Sequence, residues 1–220
     1  MLLTSAGLNT ASIVDALKDL TQRPLAECTA AAIPTAANVI AGDKGWLIND
    51  YVNLQRAGFA RVDIVDVSAV DREVWSPRLV AADVVVVTGG DTTHLLSWLR
   101  RSGLADELPA LLEDRVYVGI SAGSMVTGPH MALSRSDKRR PEDHVGLALV
   151  DFLVQPHLGS PFFPLSDEEN LRSAAAGFVE TVFGLDDEAA IRIDDGKVGI
   201  VGSGRHVEIR GRPPVGSARS

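Results

Sequence analysis

Ser121 stands between two glycines in Val116-Tyr-Val-Gly-Ile-Ser-Ala-Gly-Ser-Met-Val126. A β-branched apolar run arrives at Gly119 and a helix-compatible stretch leaves from Ala122. That order predicts a strand, a very tight turn and a helix, with a hydroxyl at the apex. A side chain at position 119 or 123 would crowd the turn and keep the serine from standing clear of the sheet. The chemistry such a turn serves is nucleophilic. Its Oγ is exposed at a helix start, where free N–H groups stabilise a developing oxyanion.

A serine hydroxyl needs a base to take its proton. Of the five histidines, His94 falls in a helix start, His130 follows Pro129, His144 lies in a charged segment and His206 lies beyond the sheet. His157 ends a predicted strand, and the working crevice of an open α/β sheet lies at strand carboxyl ends. His157 is therefore the candidate base, against the plainer reading of a histidine in a surface turn. An acid must hold the tautomer of that base, and Asp186, Asp187 and Glu188 all precede the strand at 189–193. Local sequence leaves those three open, together with the reading that they are simply solvated.

The backbone N–H of Ala122, next after the nucleophile, is the first candidate oxyanion donor. The Gly89-Gly90 pair is the candidate for the second, because glycine lets a backbone approach substrate closely. Asp91 and Thr92 beside it are candidates to cap a helix and to touch substrate. Arg135, Lys138, Arg139 and Arg140 form a basic run, either a solvated loop or, through Arg135, an attractor for a substrate carboxylate. Gly-x-Gly-x-x-Gly is absent, so Gly-Gly-Asp-Thr is no dinucleotide fingerprint.

The elements that must position these residues follow from periodicity. Strands are predicted at 2–5, 28–33, 62–67, 83–88 and 116–120, and helices at 9–20, 45–57, 93–101 and 104–113. The run Val84-Val-Val-Val87 is of the kind found in central parallel strands covered on both faces. The alternation predicts an α/β fold, a three-layer sandwich on a mostly parallel doubly wound sheet. Further on, 131–134 and 147–149 are short apolar runs, 151–155 is a strand and 166–183 a long helix. That helix has Ser166 as N-cap and Glu169 completing a capping box. Strands at 189–193 and 198–201 make a C-terminal hairpin across Asp194-Asp195-Gly196-Lys197, with a short strand at 207–209. The expectation is one domain over 1–210 and a disordered tail over 211–220.

Composition narrows the function classes. The chain has 220 residues, 45% hydrophobic and 23% charged, with a formal charge of −8, and its isoelectric point is near 5.1. An acidic chain argues against nucleic-acid and anionic-membrane partners. Cys28 is the single cysteine, so no internal disulfide can form and a reducing, cytoplasmic setting is expected. No apolar run reaches the roughly 18 residues of a membrane span, and the N-terminal stretch lacks the pattern of a signal peptide.

With these residues in hand, the chain resembles the serine peptidases that include dipeptidase E (aspartyl dipeptidase) and cyanophycinase. Their fold is similar to class I glutamine amidotransferases (flavodoxin-like). The resemblance runs through Leu3-Thr-Ser-Ala-Gly7, Ile33-Pro-Thr-Ala-Ala37, Thr88-Gly-Gly-Asp-Thr92, Gly119-Ile-Ser-Ala-Gly-Ser124, Gln155-Pro-His157 and Asp187-Glu-Ala-Ala-Ile191. It implies Ser121 as nucleophile, His157 as base, Asp187 as acid, and Gly90 and Ala122 as oxyanion donors. It further implies hydrolysis of amide bonds in small peptides next to an aspartyl residue, with no metal or cofactor. A homodimer stands as an open expectation. The family's acid is usually glutamate, which keeps Glu188 beside Asp187 in view. Ser134-Arg-Ser-Asp-Lys138 does not match the family's aspartyl-recognition segment cleanly. Two other readings use the same elbow: an α/β-hydrolase-type esterase, and a non-catalytic amidotransferase-like binding module. In the esterase fold the acid precedes the histidine, whereas here His157 precedes Asp187.

Overall fold

The computed structural model describes residues 1–131 and 145–211. The strand run after strand builds a seven-stranded sheet in the order β3-β2-β4-β5-β1-β8-β9. Its members are β1 (Leu2–Thr4), β2 (Thr29–Ile33), β3 (Arg61–Ile64), β4 (Val84–Val87), β5 (Val116–Ile120), β8 (Ala189–Asp194) and β9 (Lys197–Gly202). The first five are parallel, while β8 runs antiparallel to β1 and β9 antiparallel to β8. β4 shows why a valine run belongs in the middle, since all four residues are wholly buried. Successive side chains point to opposite faces. Val85 and Val87 join a core with Trp75, Leu79, Leu95, Leu99 and Leu108, and Val84 and Val86 join a second core with Ile13, Leu17 and Leu54.

Helices supply the two outer layers. On the first face lie α3 (Arg72–Val80), α4 (Thr92–Arg101), α5 (Leu104–Leu111) and the short α6 (Ala122–Met125). On the second lie α1 (Ala11–Thr21) and α2 (Gly45–Ala57), the latter ending at Gly58 with φ 87°. Asp50 of α2 is only 7% exposed. A Cβ on Gly7 would sit 3.4 Å from its Oδ1. Burial pushes that carboxyl up from 3.8 to about 7.

Several expectations needed correction. The long helix expected over 166–183 is instead α7 (Glu168–Ala175), then a turn, then strand β7 (Val182–Leu185). The apolar spacing of Leu171, Ala175 and Phe178 looks helical, but Val179, Thr181 and Val182 are β-branched and the chain there pairs with strands on both sides. The cap is Asp167, which accepts from the N–H of Asn170, while Ser166 Oγ accepts from Gln155 Nε2. β7 is the centre of a second, three-stranded sheet with β6 (Leu153–Gln155) and β10 (His206–Ile209), which sequence periodicity did not foresee. α3 was also missed, and β3 stops at Ile64 rather than Val67. The hairpin turn falls as expected, with positive φ at both Asp195 (46°) and Gly196 (73°). The runs at 132–134 and 135–144, and the tail from 212, lie outside the described residues.

Candidate active site

The elbow is built from close backbone approaches. A Cβ on Gly123 would lie 2.0 Å from Val87 O, and one on Gly119 would lie 2.8 Å from Gly123 O. Glycine at both positions lets α6 start directly against β4 and β5. Ser121 is held at φ 50°, ψ −108°, a conformation that costs on the order of 1–3 kcal/mol and persists only where its surroundings enforce it. Its N–H donates to Thr4 O (2.9 Å), and its carbonyl accepts from the N–H groups of Ser124 (2.9 Å) and Met125 (3.0 Å). Ser124 Oγ donates to Thr4 O and accepts from Thr4 N, locking α6 to β1. The buried Tyr117 hydroxyl donates to Gly123 O at 2.7 Å, and burial pushes its pKa up.

Ser121 Oγ lies 3.0 Å from His157 Nε2, and His157 Nδ1 lies 2.7 Å from Asp187 Oδ1. An ionised carboxylate only accepts, so Nδ1 carries the proton and Nε2 is left as the acceptor facing the serine. Of the three acids left open by sequence, only Asp187 meets the imidazole. Asp186 accepts from the N–H groups of Glu188 (2.9 Å) and Arg205 (2.5 Å), and Glu188 Oε2 accepts from Ser203 Oγ (3.0 Å). The other described histidines lie elsewhere. His94 is in α4, His130 Nε2 is 3.5 Å from Glu180 Oε1, and His206 is in β10.

Two residues that local sequence did not single out hold this assembly in register. Ser5, 1% exposed, donates from Oγ to Leu185 O (2.9 Å) and accepts from His157 N (3.2 Å). Asn9 Nδ2 donates to Asp187 O at 2.6 Å. One short segment after β1 therefore grips the backbone of both the imidazole and the carboxylate. Their signal is positional: polar residues just past the carboxyl end of a buried strand. Phe163 was missed as well. Its ring lies flat on His157, 4.2 Å between centroids and 8° from parallel.

Gly90 adopts φ 137°, and a Cβ there would meet Ala36 O at 2.2 Å. The N–H groups of Gly90 and Ala122 donate to no described residue, so both are available beside Ser121. Asp91 caps α4 by accepting from His94 N at 2.7 Å. Thr92 lines the cleft, and Arg135 lies outside the described residues. The cleft holds about 350 Å³ between the Gly-Gly turn, the elbow and the loop after His157. A larger groove of about 590 Å³, past Phe152, Glu180 and Ile193, carries no hydroxyl, thiol or imidazole among its described lining residues. Among the described residues there is no cluster of metal-ligating side chains, and no helix is long and apolar enough to cross a membrane.

The sequence matches the profile of peptidase family S51 over residues 1–201. The chain belongs to peptidase family S51. An uncharacterised peptidase of Pasteurella multocida is 31% identical over 135 residues, covering 57% of this chain and 62% of that one. A peptidase E of Nostoc is 30% identical over 129 residues, covering 56% and 53%. The S51 chain thus aligns with little more than half the length of these relatives. A crystal structure of a proposed peptidase E protein from Listeria monocytogenes superposes with a TM-score of 0.75 at 24% identity, over 90% of this chain and 96% of that one. The S51 fold is therefore the glutamine amidotransferase-like one expected, and the family is one of peptidases.

Proposed function

We propose that the protein is a serine exopeptidase that hydrolyses small peptides, Asp-Xaa dipeptides among them, through Ser121, His157 and Asp187. The observation that carries this is the unbroken chain of contacts from Ser121 Oγ to His157 (3.0 Å) and from His157 to Asp187 (2.7 Å). Ser121 Oγ attacks the scissile carbonyl carbon as its proton passes to His157 Nε2. Asp187 keeps the imidazole oriented and stabilises the imidazolium. The carbonyl oxygen, now anionic, is received by the N–H groups of Gly90 and Ala122. The C–N bond then breaks, His157 returns the proton to the leaving amine, and an acyl-Ser121 ester remains. A water deprotonated by His157 attacks that ester, releasing the acid and restoring the serine.

A cleft of about 350 Å³ suits a ligand of dipeptide size. The aspartyl preference rests on the family resemblance, and an Asp-Xaa and non-aspartyl dipeptide panel tests it directly. Ser121→Ala is expected to lower kcat by at least about 10³-fold with an unchanged thermal midpoint, and to abolish labelling by a fluorophosphonate. Undiminished turnover in that variant would sink the reading.

A further inference from the structure

The loop following His157 presents apolar surface that the chemistry above leaves unused. Phe162 is 87% exposed, and Phe163 and Leu165 are each 48% exposed. Large apolar side chains this close together on the rim of a cleft mark a surface that meets an apolar ligand. The loop is firmly tied. Ser160 N donates to His157 O (3.0 Å), Phe163 N to Ser160 O (3.1 Å), Ser166 N to Phe163 O and Gly159 N to Ser166 O (both 2.8 Å). Pro161 and Pro164 stiffen it further. The backbone that carries these side chains is held in place, which lowers the ordering cost of binding.

All three line the cleft that contains Ser121, together with Met125 and Met131. His157 is the only titratable side chain among the described walls, so this surface offers no charge partner to an acidic or basic group. The reacting atoms decide which part of a substrate lies here. His157 Nε2 must reach the leaving nitrogen to protonate it, so the released amino acid lies on the imidazole side of Ser121. The carbonyl oxygen points the other way, to Gly90 and Ala122. The Phe163 ring is stacked on that same imidazole.

We propose that Phe162, Phe163 and Leu165 form the subsite for the amino acid on the C-terminal side of the scissile bond and select a large apolar side chain there. This rests on the serine-peptidase reading above, and the experiment separates the two. The full chain is assayed on dipeptides whose second residue is Leu, Phe, Gly, Lys or Glu behind a fixed first residue. A second series varies the first residue ahead of a fixed leucine. In the unmodified protein kcat/KM for Leu and Phe should exceed that for Gly, Lys and Glu by about tenfold or more, the scale of apolar discrimination. In the double variant Phe162→Ala, Leu165→Ala the advantage should shrink to about twofold, with the ranking of first residues and the thermal midpoint unchanged. Equal rates for Leu and Gly in the unmodified protein, or an advantage that survives the double variant, overturn the subsite. A changed first-residue ranking overturns its assignment to the leaving side. Hydrolysis that depends on Ser121 but ignores the second residue removes the subsite alone. Hydrolysis that persists in Ser121→Ala, or none by the unmodified protein, removes both readings.

Discussion

The two sheets hold the two halves of the site by different means. Ser121 leaves β5, a strand flanked by β4 and β1 inside the seven-stranded sheet, and its turn is fixed by backbone packed against backbone at Gly119 and Gly123. His157 leaves β6, a three-residue strand at the edge of the small sheet, and Asp187 lies in the turn after β7. That half is fastened by side chains, the Ser5 hydroxyl and the Asn9 amide reaching across from the end of β1. Backbone interlocks are stiff and tolerate no extra atom. Side-chain ties are weaker and directional, so they govern alignment more than survival of the fold.

This contrast can be broken experimentally. The largest effect is expected from Gly123→Ala, whose added carbon would lie 2.0 Å from Val87 O. Denaturant unfolding should show a loss of about 3 kcal/mol or more, with fluorophosphonate labelling of Ser121 lost together with stability. A fully stable variant would show that the elbow is not interlocked as described. Ser5→Ala comes next. It strips a buried hydroxyl from two backbone groups, at an expected cost of about 1–3 kcal/mol. Because His157 is then free to drift, kcat should fall about tenfold with KM little changed. A raised KM with kcat unchanged would place Ser5 in binding rather than alignment.

The smallest effect concerns Asp50, which abuts Gly7 in the same segment as Ser5 and Asn9. Its folded carboxyl is raised from 3.8 to about 7 by burial, so folding favours the protonated form. The unfolded chain ionises first, and stability falls as pH rises through that window. The raised pKa caps this effect at about 4 kcal/mol. A buried amide in the variant and local relaxation reduce the expected gain from Asp50→Asn to about 1 kcal/mol. Thermal midpoints should coincide at pH 4 and favour the variant at pH 8. Identical pH profiles would mean that Asp50 is solvated.

Legibility in sequence followed the same division. The valine run of β4 and the Gly-x-Ser-x-Gly turn carry their structural reason within a few consecutive residues, and both could be read directly. The helix α3 could not, since its buried stripe is only Trp75 and Leu79 and Pro77 interrupts its interior. β7 was hidden because Leu171, Ala175 and Phe178 continue a helical spacing toward it, and its pairing partners β6 and β10 lie far along the chain. Among the three acids, local sequence had no means to prefer Asp187, and only the resemblance pointed there. The hydrogen bonds that separate it from Asp186 and Glu188 are made to residues in other elements. Ser5 and Asn9 offered only their position past the end of β1, because their partners too lie in distant segments.

The ties from the end of β1 also set a timetable. Ser5 reaches His157 across 152 positions and Leu185 across 180, and Asn9 reaches Asp187 across 178. A ribosome delivers the N-terminal part first, so β1 waits for partners that emerge 152 to 180 positions later. A nascent chain stopped before β6 holds the serine turn without His157 or Asp187. The contacts that would make Ser121 a nucleophile are therefore completed only once residue 187 has emerged.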